Sequence, residues 1–427
     1  MFKGSNVWVF CMEMCMSMWV ILGLIMVVGN SACESDKVLD QQRLVVDLSE
    51  ESSLVKVNNA LIPIPVNLIK EGPTLLISEL LDLDNLKILP LQTTPHCLIG
   101  GVDKVIFTPE YILVLDKSVA RQVLCYDLEG NFVRKISQHG KGPGEYDDPL
   151  DIEVSGQIIY ILDRQSRLFS YTMTGDFMQS KLLPFQTSHM AAIQDDAMFF
   201  NSHELNFPWT GILRQLDHQD RLVSQDFPIP NEQYGQIGIS QAFSKSSNAL
   251  LFVKLGTDTL YEIHSDRVIP KYQLQFKDLY PTHASDGAAI HPFLQRTGLY
   301  HKGFVELDEH LIFSLSQPPK IFHAFYHLST HRLRLFDRVK DDVFLGSLRS
   351  VFPVGTRLNK LIFILDPYLL VHQYHALKKE FSHDQAQWEE IERYLQERIP
   401  GIAGWRADQN PILMFALIHP KFYDRPQ

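Results

Sequence analysis

Residues Tyr111–Ile136 read YILVLDKSVARQVLCYDLEGNFVRKI, and their punctuation decides the fold. Two apolar runs, Tyr111–Asp116 and Gln122–Tyr126, flank a polar turn. A third, Asn131–Ile136, begins after Asp127-Leu128-Glu129-Gly130. Runs this short, rich in Val, Ile, Leu and Tyr, read as strands. Gly130 supplies the positive φ of a tight hairpin, and Phe132 restarts the next strand. The same grammar returns at Ile158–Leu182 (IIYILDRQSRLFSYTMTGDFMQSKL), where Gly175-Asp176-Phe177 replaces Gly130-Asn131-Phe132.

Outward from this pair the first run recurs. Leu113–Asp116, Tyr160–Asp163, Met198–Asn201, Leu251–Lys254, Ile312–Leu315 and Phe363–Asp366 line up on their last residues with spacings of 47, 38, 53, 61 and 51. A degenerate period of this length is the signature of four-stranded propeller blades. A small sheet cannot hide both faces alone; stacked radially, each covers its neighbour and leaves only short edges. The expected fold is therefore all-β: a six-bladed β-propeller of four-stranded blades spanning residues 84–420. After Asp366 the apolar spacing turns helical (Leu377/Phe381, Trp388/Ile391/Leu395), which places a helical insertion in the last blade at about 368–399. Ser382-His383-Asp384-Gln385 reads as a capping box opening the second helix, and Pro400-Gly401 ends it. Ile412–Ile418 resumes as a strand. Asn85–Leu91 is expected to pair beside it, clasping the first blade to the last.

The amino terminus carries its own signal. Lys3 precedes an uncharged apolar run, Met14–Val28, too short for a membrane span and suited to a signal-peptide core. Gly29-Asn30-Ser31-Ala32-Cys33 follows, so residues 1–33 read as a signal peptide with a lipobox and Cys33 as the lipidated residue. An uncleaved anchor or an ordinary secretory signal are the alternatives, and all three export the body. Residues 34–83 are expected to be a tether and lead-in with some strand, at Arg43–Leu48 and Leu54–Val57. The expected location is the cell envelope, by lipid anchor, at the outer membrane. The net charge of −11 argues against nucleic-acid binding, which needs basic surface. Cys97 and Cys125, the cysteines of the body, lie in strand-like runs without metal spacing and read more simply as buried thiols than as a disulfide.

Several segments together resemble a known family. These are Leu89-Pro90-Leu91, Asp127 to Phe132, Gly140-Lys-Gly-Pro-Gly-Glu-Tyr146 with Asp151-Ile152, Asp258–Ile263 with Val268–Tyr272, and Asp408-Gln409-Asn410-Pro411. In this order they resemble six-bladed β-propeller lipoproteins of Gram-negative gut anaerobes, and more distantly the NHL-repeat propellers. The resemblance implies the fold and export. Asn30 in the lipobox and a third blade without a terminal Asp depart from the pattern.

Catalytic signatures are missing from the sequence: there is no GxSxG, HExxH or Ser-His-Asp order. The loop Gly140–Tyr146 lacks the Gly-Lys-Ser/Thr ending of a phosphate loop, and Pro143 removes an amide donor, so it reads as a rigid inter-blade loop. Lys141, Glu145 and Tyr146 in it, with Trp209 in a later loop, are the candidate ligand-loop residues. The strand-end aspartates Asp116, Asp163 and Asp366 could ring a cation but suit turn-capping better. His323, His327 and His331, and the pair His372 and His375, have no carboxylate at ligand spacing. The expected function is an envelope binding scaffold for a glycan, peptide or envelope protein, with no cofactor. The alternative is a hydrolase or lyase using Ca or Zn in the propeller channel.

Overall fold

The apolar runs of Tyr111–Asp116 and Gln122–Asp127 are continuous rather than alternating because both faces of their sheet are buried. Ile112, Val114, Leu124 and Tyr126 pack with Leu89, Ile362, Ile364, Leu413 and Phe415. The residues between them, Leu113, Leu115, Val123 and Cys125, pack with Ile152, Ile159, Ile161, Phe169 and Tyr171. Period-two side-chain direction thus sends neighbours in sequence to the last blade and to the second blade respectively.

The computed structural model describes residues 54–56, 61–66, 73–193, 197–201, 211–217, 221–228, 242–245, 250–253, 258–276, 300–317 and 320–424. All belong to the unit Arg43–Gln427. The signal and lipobox with Cys33, the strand expected at Arg43–Leu48, and Trp209 lie outside the described residues.

Six antiparallel sheets form the blades. Strands a to d, from the axis outward, are 104–107, 111–116, 122–127 and 132–135 in blade I, and 149–155, 158–163, 167–172 and 177–182 in blade II. Blade III uses 189–193, 197–201, 211–217 and 222–228; blade IV uses 243–245, 250–253, 259–263 and 268–276. Blade V uses 300–307, 310–317, 320–327 and 332–336. The innermost strands touch in sequence round the axis, and that of blade VI, Gly355–Arg357, returns to that of blade I. The protein is a six-bladed β-propeller.

Blade VI joins both ends of the body. Strands a to c are Gly355–Arg357, Lys360–Leu365 and Ile412–Ala416; strand d is the early segment Lys87–Pro90, antiparallel with Ile412 opposite Pro90 and Phe415 opposite Lys87. The clasp lies where the sequence placed it. Buried Asn410 locks it: its Oδ1 accepts Ile99 N–H (2.8 Å), and its Nδ2 donates to the carbonyls of Gln92 (2.8 Å) and Cys97 (2.7 Å). Gln92 then bonds across to blade I, its N–H to Gly130 O and its side-chain oxygen to Phe132 N–H. At Gly130, φ is +86°, and a Cβ would stand 2.5 Å from Pro90 O, so the hairpin needs glycine twice over.

The lead-in is woven into the rim. Leu54 O accepts Val268 N–H, and Leu54 N–H reaches Asp226 in blade III. Ile62–Val66 adds a parallel fifth strand to blade IV, and Thr74–Leu76 pairs in parallel with Arg338–Lys340 beyond blade V. A one-turn helix, α1 (Ile77–Leu80), follows.

The insertion comprises α2 (Pro367–Glu380) and α3 (Gln385–Arg398). Asp366 caps α2 by accepting Tyr368 N–H, with Pro367 at the first helical position. For α3 the cap is Asp384, which accepts Gln387 N–H, rather than Ser382 of the expected box: Phe381–His383 forms a 3-10 turn that carries the chain past it. Leu370, Tyr374, Trp388 and Leu395 bury the pair against the core of blades V and VI. No helix of the described residues is long and apolar enough to cross a membrane.

Candidate binding cleft at the channel mouth

Where the six inner strands converge, they and the a–b turns of blades I, II and VI line a cleft of about 600 Å³. Every blade contributes. Its wall is apolar through Phe107, Val154, Met190, Phe243, Val305 and Val354, and the turn residues Pro109, Gln157 and Leu358 form part of its rim. Apolar walls with a few convergent polar groups are the usual makeup of a ligand site.

Three cations stand in this wall. Lys104 of blade I donates to Asp151 Oδ1 (2.8 Å), and Asp151 Oδ2 accepts Met190 N–H (2.8 Å) from blade III. Asp151 and Glu153 are both nearly enclosed and lie two apart in one strand, hence on one face. Desolvation opposes the Lys104 charge, but Asp151, then Glu153, outweigh it and hold its pKa above the ordinary lysine value. Lys245 of blade IV approaches Glu153 at 3.6 Å. The third cation, Arg357, lies with its guanidinium carbon 4.5 Å from the centroid of the Phe107 ring. Desolvation draws its pKa down, yet guanidinium stays charged throughout the working range.

The sequence singled out none of these groups. The signal was there in the form of charges inside apolar strand runs (Lys104-Val-Ile-Phe, Leu150-Asp-Ile-Glu-Val), where a solvated face would not put them.

The loop bearing Lys141, Glu145 and Tyr146 joins strand d of blade I to strand a of blade II, so it opens at the other end of the inner strand from the cleft. Tyr146 is fully enclosed: its hydroxyl donates to Ile136 O (3.0 Å) and accepts Val123 N–H (3.0 Å). Burial raises its pKa far above the usual phenol value. Glu145 folds back on its own loop, accepting from Gln138 Nε2 (2.6 Å) and Gly142 N–H (2.8 Å), which hold its carboxyl below the usual range. Lys141 is exposed. The three therefore share a loop without converging on a cavity.

The strand-end aspartates cap turns. Asp116 accepts four amides, from Gly100, Gly101, Val119 and Ala120. Asp163 accepts those of Gln165 and Arg167; Asp366 caps α2 and meets Arg349 at 2.9 Å. Among the described residues, no three His, Cys, Asp or Glu side chains group to hold a metal. His372 and His375 are exposed on α2. His327 instead packs its ring 4.9 Å from that of Tyr423, which stacks on His310 at 5.5 Å. Cys97 and Cys125 are both buried free thiols.

Fold and cleft define a six-bladed propeller with a ligand-sized mouth on one face. Residues 60–416 match the family model of DUF4934, a domain of unknown function, and the chain belongs to that family. Among solved structures it is similar to a “Putative exported protein” of Bacteroides fragilis NCTC 9343, at 20% identity over 84% of this chain and 99% of that one, with a TM-score of 0.65. Weaker likenesses are the computationally designed protein Ika8 (9% identity, 66% and 72% coverage, TM-score 0.34) and PorZ, a type-IX secretion surface component of Porphyromonas gingivalis (12%, 66% and 36%, TM-score 0.32). No curated protein matches the chain.

Proposed function

We propose that this chain is an exported, lipid-anchored binding protein of the cell envelope that holds its ligand in the channel mouth. The observation that carries the reading is the cleft itself: about 600 Å³, walled by all six blades, with charged side chains fixed among apolar ones. Such a rigid scaffold presents a preorganised site, which lowers the entropy cost of binding. Export is supported by the apolar run Met14–Val28 and by the description of the Bacteroides fragilis relative. Anchoring is supported by the small residues leading into Cys33, with Glu34-Ser35-Asp36 beyond as an acidic tether.

Two experiments test this. In a Gram-negative anaerobe fed an alkyne fatty acid, the full chain should take up label at the membrane and lose it on Cys33→Ala; label retained by that variant refutes the anchor. For binding, the full chain should be screened against glycans, peptides and small acids by thermal shift, beside Thr356→Trp, which crowds the mouth. Ligands whose binding survives that substitution unchanged would place recognition elsewhere. Chelator-sensitive turnover of a lactone or peptide amide would replace the scaffold by a metal-dependent enzyme.

A further inference from the structure

The cleft's cations are not equivalent. Lys104 has Asp151 at 2.8 Å and Lys245 has Glu153 at 3.6 Å, whereas among the described residues no carboxylate lies within ion-pair distance of Arg357. Among the described residues its guanidinium lies over the Phe107 ring. Arg357 is half-buried and is held by a stiff backbone: it pairs with Lys360 across a two-residue turn whose Leu358 and Asn359 both take positive φ, +46° and +58°. A stacked guanidinium spends its π-face on the ring and keeps its N–H edge for an oxygen pair. A half-desolvated cation with no carboxylate of the described residues at ion-pair distance, fixed on the lip of a largely apolar cleft, is suited to seat an anion.

The surroundings narrow the anion. Glu110 lines the same cleft and would repel a second negative charge, while Glu153 already offsets Lys245. A dianionic phosphate therefore fits poorly, while a carboxylate matches the guanidinium fork. Past Arg357 the wall is Phe107, Met173, Met190 and Phe243, which suits an apolar body rather than a polyol. The Phe107 face that a sugar ring could stack on is already covered by Arg357.

We propose that the channel mouth takes a monoanionic ligand, a carboxylate on an apolar body, with the carboxylate seated on the N–H edge of Arg357. This rests on the reading of the mouth as the binding site. The carboxylate could belong to a free apolar acid or to the C-terminus of a short apolar peptide, and the probes separate the two.

The test is calorimetric titration of the full chain with hexanoate and with N-acetyl-Ala-Ala-Phe as free acids, each beside its primary amide, and with hexyl phosphate. One acid should bind at least about tenfold more tightly than its amide, as expected for a lost charge-assisted hydrogen-bond pair. Which acid wins identifies the source, and hexyl phosphate should bind more weakly than hexanoate. Arg357→Gln should erase the acid–amide difference, and Phe107→Leu should narrow it. Arg357 is half-buried beside the exposed turn residues Leu358 and Asn359 and has no ion pair among the described residues, so a urea midpoint close to wild type is expected for its variant and separates lost binding from lost fold. Equal binding of acids and amides, tighter binding of the phosphate, or indifference to Arg357→Gln overturns the anion seat while leaving the mouth as a site. Binding of no probe by the wild-type chain overturns the seat, and unchanged behaviour of Thr356→Trp toward every screened ligand brings down the mouth with it.

Discussion

Asn410→Ala should loosen the ring at its seam, and the structure fixes the size of the effect. Three backbone groups lose a partner: Ile99 N–H, Gln92 O and Cys97 O. They are not equal. Gln92 O keeps the Cys97 thiol at 3.2 Å, and Cys97 O keeps the Tyr126 hydroxyl at 3.2 Å. Ile99 N–H has no second acceptor among the bonds of the described residues, so it alone is orphaned. Ile99 N–H is part-buried, so orphaning it costs toward the lower end of about 1–3 kcal/mol, and each of the two weakened carbonyls costs about 0.5–1 kcal/mol, giving roughly 2–3 kcal/mol in all. Asn410→Asp, though isosteric, should be worse at neutral pH, because a carboxylate would face two carbonyl oxygens that now accept N–H bonds.

Urea unfolding of the full chain, followed by tryptophan fluorescence, measures the loss. With a urea m-value of about 3 kcal/mol/M or more for a chain of this size, the Asn410→Ala midpoint should fall by up to about 1 M. Hydrogen exchange should rise first in residues 87–99 and 412–416, the two sides of the clasp. The Asp variant's buried carboxyl has a folded pKa raised above its unfolded value, so its penalty should grow as pH rises and ease as pH falls. A midpoint within about 0.2 M of wild type for Asn410→Ala would show that Asn410 does not hold the seam.

The remaining expectations are local. His310 is pushed down to about 4 by burial first and then by His327, so between about pH 6.5 and 4 the unfolded chain binds the extra proton and stability falls as pH falls. The loss, up to about 3 kcal/mol, should be missing from His310→Phe when the two are unfolded in urea at pH 4 and pH 7; parallel curves would refute it. Tyr146→Phe removes a buried hydroxyl bonded to Val123 N–H and Ile136 O, costing about 1–3 kcal/mol in the same assay while leaving the cleft's ligand affinity unchanged. Gly130→Ala, at φ +86° and against Pro90 O, should cost at least about 1 kcal/mol; a neutral result would mean that the clasp strand shifts freely.

The parts of the fold legible from sequence are those buried on both faces. Runs such as Tyr111–Asp116 must be apolar throughout because each neighbour in sequence enters a different inter-blade core. The clasp was legible for the same reason: an apolar strand at residue 412 needs a partner, and Lys87–Pro90 was the unassigned one. What escaped was the rim. Ile62–Val66 reads Ile-Pro-Ile-Pro-Val, and two prolines argue against a strand. Here Pro63 and Pro65 are exposed while Ile64 and Val66 are buried, and the segment is an edge strand, so prolines can stand on its open side.

The cleft escaped for a different reason. Lys104, Glu153, Lys245 and Arg357 are separated by about a blade or more of chain, and only radial closure brings them together. None of them makes a local motif, whereas the local motif that did stand out, Gly140–Tyr146, spends its polar groups on holding its own loop. The two faces of the ring divide along this line. On the face of the d–a loops and b–c turns, Asp116, Asp163 and Asp366 are consumed by backbone amides, and the helical insertion also grows from this end of blade VI. Strand b of that blade, Lys360–Leu365, carries the chain roughly 16 Å from Arg357's turn to the start of α2. The a–b face has two-residue turns in blades II, V and VI and, among the described residues, a cation without a carboxylate at ion-pair distance. Capping stabilises one face, and the proposed site lies on the other, so substitutions at Asp116 should register in stability and substitutions at Arg357 in affinity.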